Sequence, residues 1–269
     1  MRLGMESRRE EVSLTLTIPR IYSPVALEKG KLCELGQDNH KYLKQVLRLE
    51  PGARINVFDG FGHEFAATIK SFAADSVAVE LGDQVQTSGR NIKITLGQAL
   101  PKAGKMDVIV RHAAELGADV IIPFTAERSV SRIAVEKNPL KTARWQKIAR
   151  EAARCSRSSQ ITEVLPVVSY EAMLAQTGGQ RLKMIFWEEE DQKWIKDILS
   201  DSRWEDATDV FIIVGPEGGL SQNEILKAKE SGFISVSLGR QILKVETAAM
   251  AIISIIQYEK GIFSNTSRR

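Results

Sequence analysis

Between Leu14 and Val85 apolar and polar residues alternate in short runs separated by turn-forming residues. The runs Leu14–Ile18, Arg54–Phe58, Glu64–Ile69 and Ser76–Glu80 put apolar side chains at every second position, which predicts half-buried strands of a small barrel or sandwich. Pro51-Gly52 and Asp59-Gly60 fall between runs, where the chain needs a tight reversal. A helix is expected over about Asn39 to Leu49. The stretch Gly82 to Arg90 is polar, holds two glycines and has no apolar period, so it reads as a linker.

Beyond Asn91 the pattern changes to strands alternating with helices, which predicts a mainly parallel sheet covered by helices. The expected strands are Ile92–Leu96, Val120–Pro123, Leu182–Trp187, Val210–Val214 and Ile234–Leu238, with a further one near Val164–Val168. A helix over Lys105–Leu116 stops at Gly117, and another starts at Asn138-Pro139, a good cap followed by proline in the first turn. Two units follow: a β-barrel over residues 1–86 and an α/β unit over residues 91–269.

Composition narrows this picture only a little. With 43% hydrophobic and 26% charged residues in 269, the chain can bury full cores and has no disordered character. The net charge of +3 says nothing by itself about a polyanionic partner. Cys33 and Cys155 match no metal-ligand spacing, so no metal site is expected. Met1–Glu11 resembles no secretory signal, and the longest apolar run, Ala248–Ile256, is far short of the roughly 20 residues that span a bilayer. A cytoplasmic protein with no membrane attachment is expected.

Two segments carry candidate chemistry. In Ile212-Ile213-Val214-Gly215-Pro216-Glu217-Gly218-Gly219-Leu220-Ser221 a strand runs into a glycine-rich turn, and Ser221 with Glu224 forms a capping box. Such a turn either lets a ligand approach the backbone or is simply a tight connection; neither a dinucleotide fingerprint nor a P-loop is present. The second segment, Leu238-Gly239-Arg240-Gln241-Ile242-Leu243-Lys244-Val245-Glu246-Thr247, leads into a helix apolar on all sides as far as Gln257. That helix must be buried all round, in the core or between subunits. Glu246 either answers the helix dipole or meets a ligand.

These two segments, in this order, resemble the carboxy-terminal half of the ribosomal RNA small-subunit methyltransferase E family, whose members make 3-methyluridine in 16S rRNA. The resemblance extends to His40, Val46-Leu47-Arg48, Pro51-Gly52 and Phe58-Asp59-Gly60, and to Gln98-Ala99-Leu100, Lys105-Met106-Asp107, Glu115-Leu116-Gly117 and Glu127-Arg128-Ser129. It implies a PUA-like β-barrel that binds RNA, followed by a SPOUT-type knotted α/β methyltransferase domain. In that domain S-adenosylmethionine lies bent between three loops of a trefoil knot. Carried onto this chain, the loops are Phe186, Trp187 and Glu188; Val214, Gly215, Pro216, Glu217, Gly218 and Gly219; and Leu238 and Gly239 with Ile242, Leu243, Glu246 and Thr247. Leu238, Ile242 and Leu243 would wall the adenine. A homodimer packed through the apolar helix is implied as well. The chain departs from the family at Gln241-Ile242-Leu243-Lys244 and at Arg154-Cys155-Ser156-Arg157-Ser158, where arginines are displaced by one position.

The expected reaction is methyl transfer to N3 of a uridine in the 16S rRNA of the small subunit. That nitrogen must first lose its proton, and the candidates for this work are Arg128 or Arg157 as anion-stabilising cations and Glu217 or Glu246 as proton acceptors or donor-positioning groups. RNA contact is expected on Arg48 and on the helix after Pro139, where Arg144, Lys147, Arg150 and Arg154 share one side with Arg157, in a region, Arg128–Arg157, with nine Lys or Arg against two Glu. Such a face is otherwise a solvated one. The competing functions are a nonenzymatic ribosome-associated RNA-binding factor with a decayed SPOUT domain, and a nucleotide enzyme that cradles phosphate at the glycine turn.

Overall fold

A computed structural model of the chain describes residues 18–87, 91–102, 104–131, 138–176, 178–179 and 182–261. The expected strand Leu14–Ile18 lies outside them apart from Ile18. The first sheet holds β1 (Arg20–Tyr22), β2 (Leu32–Leu35), β3 (Arg54–Phe58), β4 (Glu64–Phe72) and β5 (Val77–Gln84), in the order β1-β3-β4-β5-β2. β1 and β3 run parallel, and the other pairs are antiparallel. With no ladder between β1 and β2 among the described residues, the sheet is an open half-barrel. It curls over Leu35, Leu43, Ile55, Val57, Ile69 and Val79, all buried.

β1 and β2 escape the sequence pattern for separate reasons. Three residues are too few for alternation to show, and β2 turns Leu32 to solvent while burying Cys33 and Leu35. The expected helix is α1 (Gln37–His40) continuing as a π-helical turn over Lys41–Val46. The expected linker is shorter than Gly82–Arg90, because Gly82–Gln84 belong to β5; a glycine suits that strand position, where a Cβ would press on the Ala66 carbonyl. Residues 88–90 lie outside the described residues.

The second sheet is wholly parallel, in the order β12-β10-β11-β6-β7-β8 with β9 also on β7. Its strands are β6 (Lys93–Ala99), β7 (Val120–Thr125), β8 (Glu163–Val164), β9 (Val168–Ser169), β10 (Leu182–Phe186), β11 (Asp209–Val214) and β12 (Ile234–Val236). The single strand expected near Val164–Val168 is split in two. Pro166 has no amide to donate to β7, and the Val167 amide goes instead to Asn138 Oδ1 at 2.9 Å.

The helices are α2 (Lys105–Glu115), α3 (Asn138–Cys155), α4 (Tyr170–Ala175), α5 (Ile195–Leu199), α6 (Ser202–Glu205), α7 (Gln222–Glu230) and α8 (Val245–Glu259). Alternate residues of β11 serve opposite layers: Val210, Ile212 and Val214 face α2, α3 and α8, whereas Phe211 and Ile213 face α4 and α7. Much of the apolarity of α8 is thereby explained within the chain, since Val245, Ala249, Ile252, Ile253 and Ile256 are buried against the sheet and α2. Gln257 on the same helix donates from Nε2 to the carbonyls of Leu116 and Gly117, closing the end of α2. Ala248, Met250, Ala251, Ser254 and Ile255 remain half-buried on its outer side. Among the described residues no helix is long and apolar enough to cross a membrane.

The two sheets are joined at a polar seam built on Arg20. Its guanidinium, only 8% exposed, binds the Glu64 carboxylate at 2.6 Å and donates to the carbonyls of Ala153, Arg154 and Ser158, each at 3.2 Å. Asn56 Nδ2 donates to Glu64 Oε1 at 2.7 Å. Arg20 therefore caps the carboxyl end of α3 from the other unit, where a cation also answers the helix dipole. Removing one partner strands a buried charge. We expect Arg20→Met to lose roughly 3–5 kcal/mol of stability in urea unfolding, with Glu64→Gln/Arg20→Met recovering a good part of it.

Candidate active site

The geometry of the site follows from the pairing of β10. Phe186 at its end lies in register with Val214 of β11 on one side and Val236 of β12 on the other. Because the strands are parallel, three loops leave the same edge side by side, which is where open α/β sheets take ligands. The three segments proposed from sequence, 186–188, 214–219 and 238–247, are brought together in this way.

The glycine turn is shaped from below. Gly219 N donates to Pro216 O at 3.0 Å, and Gly219 has φ +70°, a backbone region that favours glycine. A Cβ there would overlap the Glu188 carboxylate of the neighbouring loop, one at Gly215 would run into buried Leu220, and one at Gly218 would press on the Arg128 backbone. The capping box forms as expected: Ser221 N donates to Glu224 Oε2 at 2.9 Å, and Glu224 N donates to Ser221 Oγ at 3.2 Å. Glu224 goes further than a cap. Its other oxygen accepts from Glu127 N at 2.9 Å, so a buried carboxylate fixes the 127–128 backbone beside the turn. Tyr170 donates its hydroxyl to the Glu224 carbonyl at 2.6 Å, and burial pushes its phenol well above the usual range. Arg128 reaches the turn itself, with Nη1 3.3 Å from the Gly218 carbonyl.

Lys105, at the start of α2, ties two of the loops together. Its ammonium stands 3.0 Å from Glu217 Oε1 and 3.2 Å from Glu246 Oε2, and the two carboxylates, Glu217 the more strongly, raise it above the ordinary lysine value. Both Glu217 oxygens also accept from Lys102 N at 3.1 Å. Partial burial works to raise the Glu217 carboxyl, but Lys105 and the backbone amides outweigh it and hold the group below the usual carboxylate range. Glu246 is also lowered, chiefly by its own amide in the first turn of α8 and then by Lys105, against partial burial. Its Oε2 meets Lys105 as an ion pair without forming a hydrogen bond. The sequence carried Lys105 only as part of a motif; its pairing with two distant acids is invisible before folding.

Other candidates are less enclosed. Leu238 and Leu243 are half-buried, and Ile242 is 89% exposed. Thr247 is exposed. Arg157 follows the carboxyl end of α3, at the sheet edge opposite the glycine turn, so within one chain it does not meet the loops. The basic side of α3 is largely occupied. Arg144 pairs with Asp107, Arg150 lies over the Tyr22 ring at 5.7 Å, and Arg154 stacks on Tyr42 at 4.8 Å while binding its hydroxyl and Glu151. Periodicity gathers these cations on one face correctly, but that face is partly where the half-barrel packs. Lys147 and Arg48 remain exposed. Cys33 and Cys155 are free, and the described residues hold no group of three or more metal-ligand side chains.

Profiles of known families match both units. One described as an RNA methyltransferase domain covers residues 88–257, and one described as an RNA methyltransferase PUA domain covers residues 35–81. Ribosomal RNA small subunit methyltransferase E of Bacillus subtilis is 30% identical over 230 residues, 83% of this chain and 88% of its own length. The protein of the same name from Rickettsia conorii is 29% identical over 240 residues, 88% of this chain and 94% of its own. The crystal structure of the Neisseria gonorrhoeae enzyme, bound to S-adenosyl methionine, matches with a TM-score of 0.81 at 30% identity, covering 90% of this chain and 98% of that one. With a PUA-like half-barrel ahead of a SPOUT-type α/β sheet and relatives of this extent, the chain belongs to the ribosomal RNA small subunit methyltransferase E family.

Proposed function

We propose that this chain transfers a methyl group from S-adenosylmethionine to N3 of a uridine in 16S rRNA, as a cytoplasmic homodimer. The observation that carries the reading is the convergence of three loops at the ends of β10, β11 and β12, with the glycine turn backed by Arg128. The residues present suit the donor. Trp187 Nε1 is buried at the start of one loop without an acceptor, Glu188 can accept from ribose hydroxyls, and half-buried Leu238 and Leu243 offer an apolar wall. The segment after β12 runs alongside residues 193–195, with Ser237 N donating to Lys193 O at 2.8 Å and Ile195 N to Ser237 O at 3.0 Å, and a knotted course for this segment is part of the proposal. The half-buried outer side of α8 is the surface suited to a second copy.

When bound, S-adenosylmethionine supplies an electrophilic methyl carbon on its sulfonium. The chain must orient the two reactants and favour the imide anion of the uridine. Backbone amides and Lys105 hold Glu217 and Glu246 ionised, and a carboxylate depressed in this way is a poor acceptor for an imide proton. Their work is to hold the loops in place. Arg128, fixed beside the turn through Glu224 and Glu127, is the cation that stabilises the anion.

Three outcomes are expected. Gly219→Ala, which drives a side chain onto Glu188, should weaken donor binding at least about 10-fold in calorimetry through loss of that close approach; undetectable binding by the unaltered chain at millimolar donor would remove the enzyme reading and leave a binding factor. Arg128→Gln should lower the single-turnover methylation rate of small-subunit rRNA about 100-fold with donor affinity little changed, and mass mapping of the methylated RNA should find the added methyl on N3 of a uridine. Lys105→Met should raise the titration of Glu217 and Glu246 toward the ordinary carboxylate value. Depressed carboxylates stabilise above their unfolded pKa and stop doing so as pH falls through the folded one, while a raised lysine stabilises until pH climbs through its folded value. The melting-temperature gap between the unaltered chain and Lys105→Met is therefore expected at neutral pH and should close in acid and in strong base.

A further inference from the structure

The hairpin tip between β3 and β4 meets the turn after α3 along the seam between the units, and it carries two features that neither packing nor the donor loops explain. Phe61 is 81% exposed, and no aromatic side chain among the described residues is more so. The tip that holds it is firmly built. Buried Asp59 accepts from Phe61 N at 2.7 Å and from His63 N at 3.2 Å, and its other oxygen meets His63 Nδ1 at 2.7 Å. Gly60 and Gly62 take φ of +83° and +107° on either side. Gly60 and Phe61 bridge to Gln160, and Gly62 N donates to Ser159 O at 3.0 Å. A ring kept in water by a turn this constrained forgoes the hydrophobic gain of burial.

Arg157 precedes by two and three residues Ser159 and Gln160, which hold this tip. α3 ends with Ser158 N donating to Ala153 O at 3.0 Å, a terminating loop whose left-handed residue is usually glycine. Here that residue is Arg157, at φ +59°, where an L side chain is strained. Its side chain is exposed, and among the described residues no carboxylate or carbonyl holds it. Along this seam Arg150 and Arg154 already stack on Tyr22 and Tyr42. Phe61 and Arg157 are the aromatic and the cation left open to solvent.

We propose that Phe61 and Arg157 form a stacking site for an unpaired base of the RNA, the ring taking the base face and the guanidinium the adjoining phosphate. This rests on RNA being the substrate. Single-stranded RNA offers base faces and phosphates together, whereas a duplex hides the former.

The test measures binding of a 12-nucleotide mixed-sequence single-stranded RNA, and of the same sequence as a duplex, across a salt series. Phe61→Ala should weaken single-strand binding about 5- to 100-fold with an unchanged salt slope, unchanged donor affinity and little effect on the duplex; Phe61→Trp should retain affinity. Arg157→Gly should melt at a higher temperature yet bind the single strand more weakly, with its salt slope lowered by about 0.7, a combination that a purely structural role does not produce. Undiminished single-strand binding by Phe61→Ala, or an equal loss on the duplex, overturns the proposal. So does a smaller sedimenting species for Phe61→Ala, which would make a second copy of the chain the occupant. Failure of the unaltered chain to bind either RNA overturns the RNA reading along with it, whereas binding that ignores Phe61 sinks this site alone.

Discussion

The parallel pairing of β10 between β11 and β12 is the constraint on which the site depends. It sets Phe186 level with Val214 and Val236, so three loops far apart in sequence begin at adjacent points of one edge. The register is enforced from both faces. Residues of β11 alternate between two separate cores, and a slip of one position would exchange Phe211 and Ile213 for Ile212 and Val214 in layers already filled. Lys105 can therefore reach both Glu217 and Glu246, and Glu188 lies against Gly219, because the sheet has already done the gathering.

The sequence was most informative where a local physical rule acts alone. Alternation gave β3 to β5, apolar runs gave β6, β7, β10 and β11, and Ser221 with Glu224 three residues on marked the start of α7. The glycine turn was visible as a turn, and family resemblance marked it as part of a site. It was silent where partners are distant. Nothing local to Arg20 shows that it will close the end of α3, nor that Glu224 will hold the Glu127 amide, nor that Lys105 will stand between two glutamates. Those are products of topology, and their energy arises from burial and convergence that no window of residues contains.

The basic helix shows how a correct periodicity can still mislead about role. Arg150 and Arg154 share a face as their spacing requires, but aromatic rings of the half-barrel cover part of it. Cations stacked on tyrosines join the two units, and they leave Lys147 facing outward. A charge face on one element is therefore a statement about what neighbours it can accept, and a second unit of the same chain is among them.

The order of the second sheet bears on how the chain is assembled as it leaves the ribosome. β6, the first strand of its unit to be synthesised, pairs with β7 soon after, but its other edge waits for β11, whose Asp209 aligns with Lys93. Until then a row of unpaired amides and carbonyls on β6 is open to any other strand. α8, which covers one face and closes the end of α2 through Gln257, arrives later still. The unit thus has high contact order, and its nascent form passes through a stage with an exposed edge and an uncovered apolar face, which makes slow closure the expected consequence of this topology.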